Sequence, residues 1–378
     1  MLRNIYISLI TTVLSYTAQA QDTAQNDPAK KAPTTDTAKA ASPTVAAAAP
    51  AQTATPAPAL SITGSADLYY RYDFANKNTN LTSFTNSHDQ VRLGMATVKL
   101  EHKTAKVDMV ADLGFGPRAQ EFAYNDNGIV QAIKQLYISY SPAAWVKFTA
   151  GTWATHIGYE VVDAYANRNY SMSYMFTNGP FSHTGVRADF TAGKSGFMIG
   201  VSNPTDFRSI PMGGESNKNM IAQYSYAPSD NFKLYLNYVG GRDIADDRVH
   251  QYDLVLTAKA SSIFSFGANG TINKSSLAND KYSNTRTWWG SAVYLNLDPK
   301  SWFGLTLRSE YFSDNEGVKL PVPGNVFATT LSANFKVDGF TFIPEFRMDN
   351  ASGEIFQHHD GSPSKTSGSF LLAAVYSF

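Results

Sequence analysis

From Leu60 to the end of the chain, apolar and polar residues alternate with a period of two. In residues 60–74, Ile62, Ala66, Leu68, Tyr70 and Tyr72 fall on one face, and Ser61, Thr63, Ser65, Asp67, Arg71 and Asp73 on the other. Phe232, Leu234, Leu236 and Tyr238 oppose Lys233, Tyr235 and Asn237 in the same way. Phe303, Leu305 and Leu307 oppose Thr306, Arg308 and Glu310, and Phe340, Phe342 and Phe346 oppose Thr341, Glu345 and Arg347. Successive side chains of a strand point to opposite faces, so this alternation predicts β-strands with one greasy and one wet side. The segments place strands near 60–73, 90–101, 105–114, 130–140, 145–152, 183–192, 195–201, 218–226, 231–239, 249–259, 262–271, 285–297, 302–313, 325–336, 339–348 and 368–378. That is about sixteen strands, within a range of roughly fourteen to eighteen set by the placement of boundaries.

The alternation alone fits a soluble sandwich as well as a membrane barrel. The connections separate the two. Short turns fall at Ser141-Pro142, Gly193-Lys194, Pro228-Ser229-Asp230, Ala260-Ser261, Asp298-Pro299-Lys300 and Val337-Asp338-Gly339, with long polar loops between the other strands. Tight turns at one rim, long loops at the other and an even strand number predict an all-β, up-and-down antiparallel transmembrane β-barrel. Aromatic residues fall where girdles belong: Trp145, Phe232, Trp302, Phe340 and Phe378 beside the tight turns, and Tyr72, Tyr238, Trp288, Tyr311 and Phe346 towards the loop rim. Past the leader no run of about 18 apolar residues occurs, which excludes a membrane-spanning helix and leaves a closed barrel as the way to cross a bilayer with the backbone satisfied.

Ahead of the strands the pattern is different. Residues 1–20 carry Arg3, an apolar run from Ile5 to Leu14, and Ala18-Gln19-Ala20 before Gln21, the layout of a signal peptide with cleavage near Gln21. Residues 21–59 are Ala, Pro, Thr, Gln, Asp and Lys, too poor in apolar surface to offset ordering entropy, and are expected to form a disordered periplasmic tether. The barrel then occupies 60–378.

Composition narrows the function classes. Lys and Arg total 31 against 31 Asp and Glu, so no electrostatic footprint for nucleic acid exists. Charged residues make up only 16% and aromatics 13%, which suits a surface facing lipid. The absence of cysteine removes disulfides, thiolate metal sites and cysteine nucleophiles together. His358-His359-Asp360 sits in a polar stretch without a spaced partner and reads as solvated, so no metal and no cofactor is expected. Gly213-Gly214-Glu215 and Gly240-Gly241-Arg242 lack the strand-to-helix setting of a phosphate loop, and no G-x-S-x-G occurs. An outer-membrane hydrolase thus has only class analogy behind it, and the chain is not expected to be an enzyme.

The last ten residues, SFLLAAVYSF, put Phe370, Leu372, Ala374, Tyr376 and Phe378 on one face. This ending resembles the closing strand of outer-membrane β-barrels, whose terminal aromatic is read by the barrel-assembly machinery. The connection 153–182 is too long for a casual surface loop. It also carries Ile157, Tyr159, Val161, Val162, Tyr165, Tyr170, Tyr174, Met175 and Phe176, too apolar to trail in water. In placement, after the fifth strand, it resembles the general-porin loop that folds into the lumen and narrows it. Gly158-Tyr159-Glu160, the run from Asn167 to Tyr174, and the run from Asn178 to Gly185 resemble the OmpL-like β-barrel porins of Gram-negative outer membranes. Met172 stands where that family would carry a basic residue.

The resemblance implies passive transport of small polar solutes or ions across the outer membrane, with lipid around the barrel and a homotrimer by analogy. Candidate constriction residues are Tyr159, Glu160, Asp163, Tyr165 and Arg168. Candidate lumen-wall charges are Arg71, Arg187, Lys233, Arg308, Glu310, Glu345 and Arg347; opposed acidic and basic walls would set a transverse field across a water-filled constriction. The competing reading is a structural or adhesive outer-membrane barrel without an open pore.

Overall fold

The structure, a computed structural model, describes residues 59–78, 81–278 and 285–378. The expected leader over 1–20 and the tether over 21–59, apart from the backbone of Ala59, lie outside the described residues.

In chain order the elements are β1 (Ala59–Asp73), β2 (Gln90–Lys103), β3 (Val107–Phe115), α1 (Pro117–Phe122), β4 (Ile133–Ala143), β5 (Val146–Ala154), α2 (Tyr174–Asn178), β6 (Ser182–Ala192) and β7 (Ser195–Ser202). They continue with β8 (Asn219–Ser229), β9 (Phe232–Arg242), β10 (Arg248–Lys259), β11 (Phe264–Ser276), β12 (Arg286–Lys300), β13 (Phe303–Asp314), β14 (Gly324–Val337) and β15 (Phe340–Ala351). Two short strands, β16 (Phe356–Gln357) and β17 (Pro363–Ser364), precede β18 (Thr366–Ser377). Among the described residues β1 to β15 and β18 form one closed barrel of sixteen antiparallel strands, each paired with its sequence neighbours, and β18 bridges β15 and β1. The seam runs in register from Asp73 opposite Ser369 to Ser65 opposite Ser377. Closure leaves no unpaired strand edge, so every strand finds its backbone partners inside the ring.

The two faces separate as the alternation implies. Leu93, Ile138, Val186 and Trp302 are exposed on the outside, whereas Ser65, Asp67, Arg71 and Asp73 of β1 are buried inside. A dry middle between two pressed sheets would require the reverse. Polar side chains inside and apolar ones outside is the arrangement that a lipid surround stabilises.

The tight turns follow the expected chemistry. Asp338 and Gly339 both take positive φ, 47° and 81°, the pair of left-handed residues that a two-residue hairpin needs to match strand twist. Towards the other rim several strands outrun the alternation: β9 reaches Arg242, β11 Ser276 and β15 Ala351. Beyond the lipid both faces of a strand are wet, so pairing continues where the hydropathy signal has stopped.

Trp288 corrects the expected girdle. It is fully buried and packs inward on Phe312, with ring centroids 5.4 Å apart, while Trp289 is the exposed residue and sits 5.4 Å from Tyr311. Adjacent residues of a strand cannot share a face, and the register of β12 against β11, Trp289 opposite Ile272, turns Trp289 to lipid. The hairpin β16–β17 and helix α1 are further elements that the alternation does not signal.

Candidate functional site

Residues 155–181 join β5 to β6. Their ends are clasped by the Thr155 amide donating to the Phe181 carbonyl at 2.9 Å. Between these ends the segment has few internal backbone bonds: one 3₁₀ turn at Ala164–Ala166 and the helix α2, capped by the Ser173 hydroxyl accepting from the Phe176 amide. It therefore depends on the barrel wall for both apolar cover and hydrogen-bond partners.

The apolar cover comes in patches. Met172 and Phe176 are buried with Phe84, Met95, Phe122 and Phe181. Tyr170 and Ala164 pack on Tyr69 and on Ile343, Leu371, Ala373 and Val375, which explains why the inward face of β18 is apolar in a polar lumen. Tyr174 and Met175 meet Trp288, Tyr294 and Phe312. Ile157 joins Trp153, Met198, Ile221 and Val239.

The polar partners lie on strands away from β5 and β6, some a quarter of the way round the ring and others on its opposite side. The Tyr170 and Ser171 amides donate to Glu345 of β15 at 2.7 and 3.1 Å, and the Tyr174 and Met175 amides both donate to Glu310 of β13 at 2.8 Å. The Tyr170 hydroxyl reaches Asp67 of β1 at 2.5 Å, the Tyr174 hydroxyl Asp349 at 2.8 Å, and the Gly158 amide Asp253 of β10 at 3.0 Å. Glu345, Glu310 and Asp253 take up amides that a segment without regular structure would otherwise leave unpaired, and Asp67 and Asp349 take up the tyrosine hydroxyls.

The candidate constriction charges are themselves paired. Glu160 binds Arg308 at 2.5 Å and accepts from the Ser173 amide, and Asp163 binds Lys134 at 2.6 Å, which also holds Asp112 at 3.1 Å. Both carboxylates are buried, at 6% and 8% exposure, so they face a cation and not water. Arg168 makes a two-pronged contact with Asp298 at 2.8 and 2.7 Å. Tyr159 lies flat on Tyr294 at a centroid distance of 4.0 Å, and burial pushes its hydroxyl up to about 12. Tyr165 is half-exposed.

Of the wall candidates, Arg71, Arg308, Glu310, Glu345 and Arg347 are buried inside the ring. Arg71 binds Asp73 and the Ser87 carbonyl. Arg347 binds Asp349 and, with Arg308, the Met172 carbonyl. Met172 thus brings no charge of its own, but its backbone oxygen gathers two guanidinium groups. Arg187 stacks over the Trp153 ring at 4.9 Å beside Asp189, and Lys233 is partly exposed near the tight-turn rim.

Several anchors were not among the candidates. Arg118, fully buried on α1, donates to the carbonyls of Val162 and Tyr170 and lies over the Phe84 and Tyr170 rings. Asp206, from the loop after β7, accepts from the Phe181 and Ser182 amides at 2.7 Å each; burial raises its carboxyl to about 6. His156 is buried against His183, ring centroids 5.0 Å apart, with its Nε2 at 3.0 Å from the Tyr238 carbonyl. Loss of hydration holds its imidazole down at about 4, Arg187 adding to the effect. Arg118 and Asp206 stand in stretches without alternation, so sequence had no face on which to place them.

A closed sixteen-strand antiparallel ring, apolar outside and polar within, defines a porin-type outer-membrane barrel. The chain belongs to the family described as "Putative beta-barrel porin-2, OmpL-like", whose model matches residues 59–378. Solved structures share the fold. The outer membrane channel DcaP of Acinetobacter baumannii is similar at 13% identity and a TM-score of 0.60, over 85% of this chain and 97% of that one. An anion-selective porin from Comamonas acidovorans is similar at 8% identity and 0.59, over 85% and 100%. OmpT of Vibrio cholerae, solved in a trimer form, is similar at 10% identity and 0.58, over 85% and 100%. At such identities the likeness carries the fold alone. No curated protein matches the chain significantly.

Proposed function

We propose that the protein is a porin through which small polar solutes and ions diffuse passively. In this reading the lumen is narrowed by 153–182, with Tyr159, Glu160, Asp163, Tyr165 and Arg168 at the narrowing. The observation that carries it is the set of bonds from Tyr170, Tyr174 and Met175 to Asp67, Glu310 and Glu345, side chains in the middle of β1, β13 and β15. A segment held there constricts a lumen at mid-height. The periplasmic placement of 21–59 belongs to the same proposal, as does a homotrimer, which the trimer form of the Vibrio cholerae protein supports.

Planar-bilayer recording of the purified protein tests the reading: stepwise conductance is expected. A correctly folded, inserted barrel that stays silent overturns it in favour of a structural or adhesive barrel. One observation favours that second reading, since residues 155–159 line the cavity against β8–β10 and are bonded across it to the Tyr238 carbonyl and Asp253.

A further inference from the structure

The inner wall is chemically divided. The charges of β1, β13 and β15 are consumed: Arg71 by Asp73, Arg308 by Glu160, Glu310 by two amides, Glu345 by two amides and the Ser332 hydroxyl, Arg347 by Asp349. The arc from β8 to β11 instead presents carboxamides to the lumen: Asn219, Gln223, Asn237, Gln251, Asn269 and Asn273. They bond to one another and to hydroxyls, Gln223 to Asn237 at 2.7 Å, Asn273 to Gln251 at 3.2 Å, Gln251 to Thr271 at 3.0 Å. The carboxylate in the middle of this arc, Asp253, is capped by the Asn237 and Asn269 amides at 2.7 and 2.6 Å and by the Gly158 amide.

Two cavities lie against this arc and nowhere touch the Arg308–Glu345 wall. The one nearer the loop rim, about 270 Å³, is lined by Asn178, Asn219, Gln251 and Asn273; the other, about 110 Å³, by Gln223, Tyr235, Asn237 and Thr257. Charged groups border both. In the first, Asp206 is turned to the Phe181 and Ser182 amides, and Asp243 to the Ala245 and Asp247 amides, leaving the exposed Lys319. In the second, Lys134, Glu160 and Asp163 are all in ion pairs. The short run 155–159 lines the second cavity at the level between the two: Gly158 bonds Asp253, which on β10 stands between Gln251 of the first cavity and Val255 of the second, Ile157 packs on Ile221 and on Val239 of the first, and His156 bonds the Tyr238 carbonyl.

We propose that solutes travel along the β8–β11 arc, that 155–159 is the gate between its two cavities, and that the arc favours uncharged polyhydroxylated solutes of sugar or polyol size. A primary carboxamide offers two donors and an acceptor, so a hydroxyl-rich solute can exchange its water bonds for wall bonds step by step. Fixed charge along this wall is sparse, Asp253 capped by three amides, Lys233 near the tight-turn rim and Lys319 at the loop rim, so over most of the path an ion meets only dipoles and keeps more of its desolvation cost than a neutral solute does. This specificity rests on the porin reading above.

The test is uptake into proteoliposomes of the full-length protein, comparing glucose with its near-isosteres gluconate and glucosamine. Glucose is expected to enter several-fold faster than either charged analogue, with a bilayer reversal potential near zero in a salt gradient. Equal or faster entry of gluconate or glucosamine overturns the proposed preference while leaving the porin intact; absence of both uptake and conductance would fail the porin reading instead. The route is tested separately by Gln251→Cys, in a chain that contains no cysteine of its own. Labelling by a bulky methanethiosulfonate reagent, verified by mass, is expected to block glucose uptake. Complete labelling with unchanged uptake would remove the arc from the path.

Discussion

At the scale of single residues, the lumen is a place where charge holds structure together. Glu160, Asp163 and Arg168 are visible in the sequence as charges on a long apolar connection, but nothing in a sequence says that each has an opposite charge waiting on the barrel wall, at Arg308, Lys134 and Asp298. Arg308 and Asp298 stand more than a hundred positions along the chain and come within reach only because the ring closes, whereas Lys134 comes from β4, the strand beside β5. His156 makes the energetic consequence measurable. Its imidazole stays neutral in the folded state down to about 4, against 6.5 when exposed. A depressed folded value means that its contribution is complete above pH 6.5 and is lost as pH falls through the window from 6.5 to 4, a swing of about 3 kcal/mol. Protonation there sets a second positive charge beside Arg187. Limited proteolysis within 155–181 is accordingly expected to accelerate between pH 7.5 and pH 4.5, and His156→Gln should flatten that pH dependence. A cleavage rate independent of pH in the unaltered protein would refute the assignment.

At the scale of elements, the strands were legible and the segment between β5 and β6 was legible only as a problem. Period-two alternation located the strands because each has one face towards lipid; where that contrast ends, as at the upper ends of β9, β11 and β15, it also ends as a signal. Trp288 and Trp289 show the same limit, since two adjacent aromatics offer no contrast and register chooses between them. For 155–181, apolar content implied that it packs on something, whereas its route was set by carboxylates in the middle of distant strands. The Glu160–Arg308 pair is the test at this scale. Removing one partner of a buried pair typically costs about 3–5 kcal/mol because the other charge is stranded. Glu160→Ala should therefore loosen the segment, seen as larger and noisier unitary conductance in bilayers, while Glu160→Ala combined with Arg308→Met should recover much of the quiet behaviour. Identical records for Glu160→Ala and the parent protein would show that this pair does not hold the segment in place.

At the scale of the whole molecule, the seam between β1 and β18 decides whether a barrel exists at all. Phe378 exchanges backbone bonds with Gly64 at 3.0 and 3.1 Å, and its exposed ring lies over the Gly64 position, where a Cβ would come within 2.8 Å of it. Deleting Phe378 removes both the backbone pair and the ring, whereas Phe378→Ala removes the ring alone. If the ring is what the assembly machinery reads, both variants should lower the amount of heat-modifiable folded protein in the outer membrane several-fold; loss confined to the deletion would mean that the backbone pair matters instead. By itself, the sequence determined that the chain is a strand-built barrel with a greasy exterior, about how many strands it has, the neighbourhood of most of its tight turns and that 153–182 needs cover, because each of these follows from local contrast between neighbouring residues; Ser141-Pro142 and Asp298-Pro299-Lys300, expected as turns, lie instead at the ends of β4 and β12. Only the tertiary structure decided which charges neutralise one another, which tryptophan faces lipid and which wall carboxylates hold the segment 155–181, because those depend on strand register and on side chains that closure of the ring brings together from distant parts of the chain.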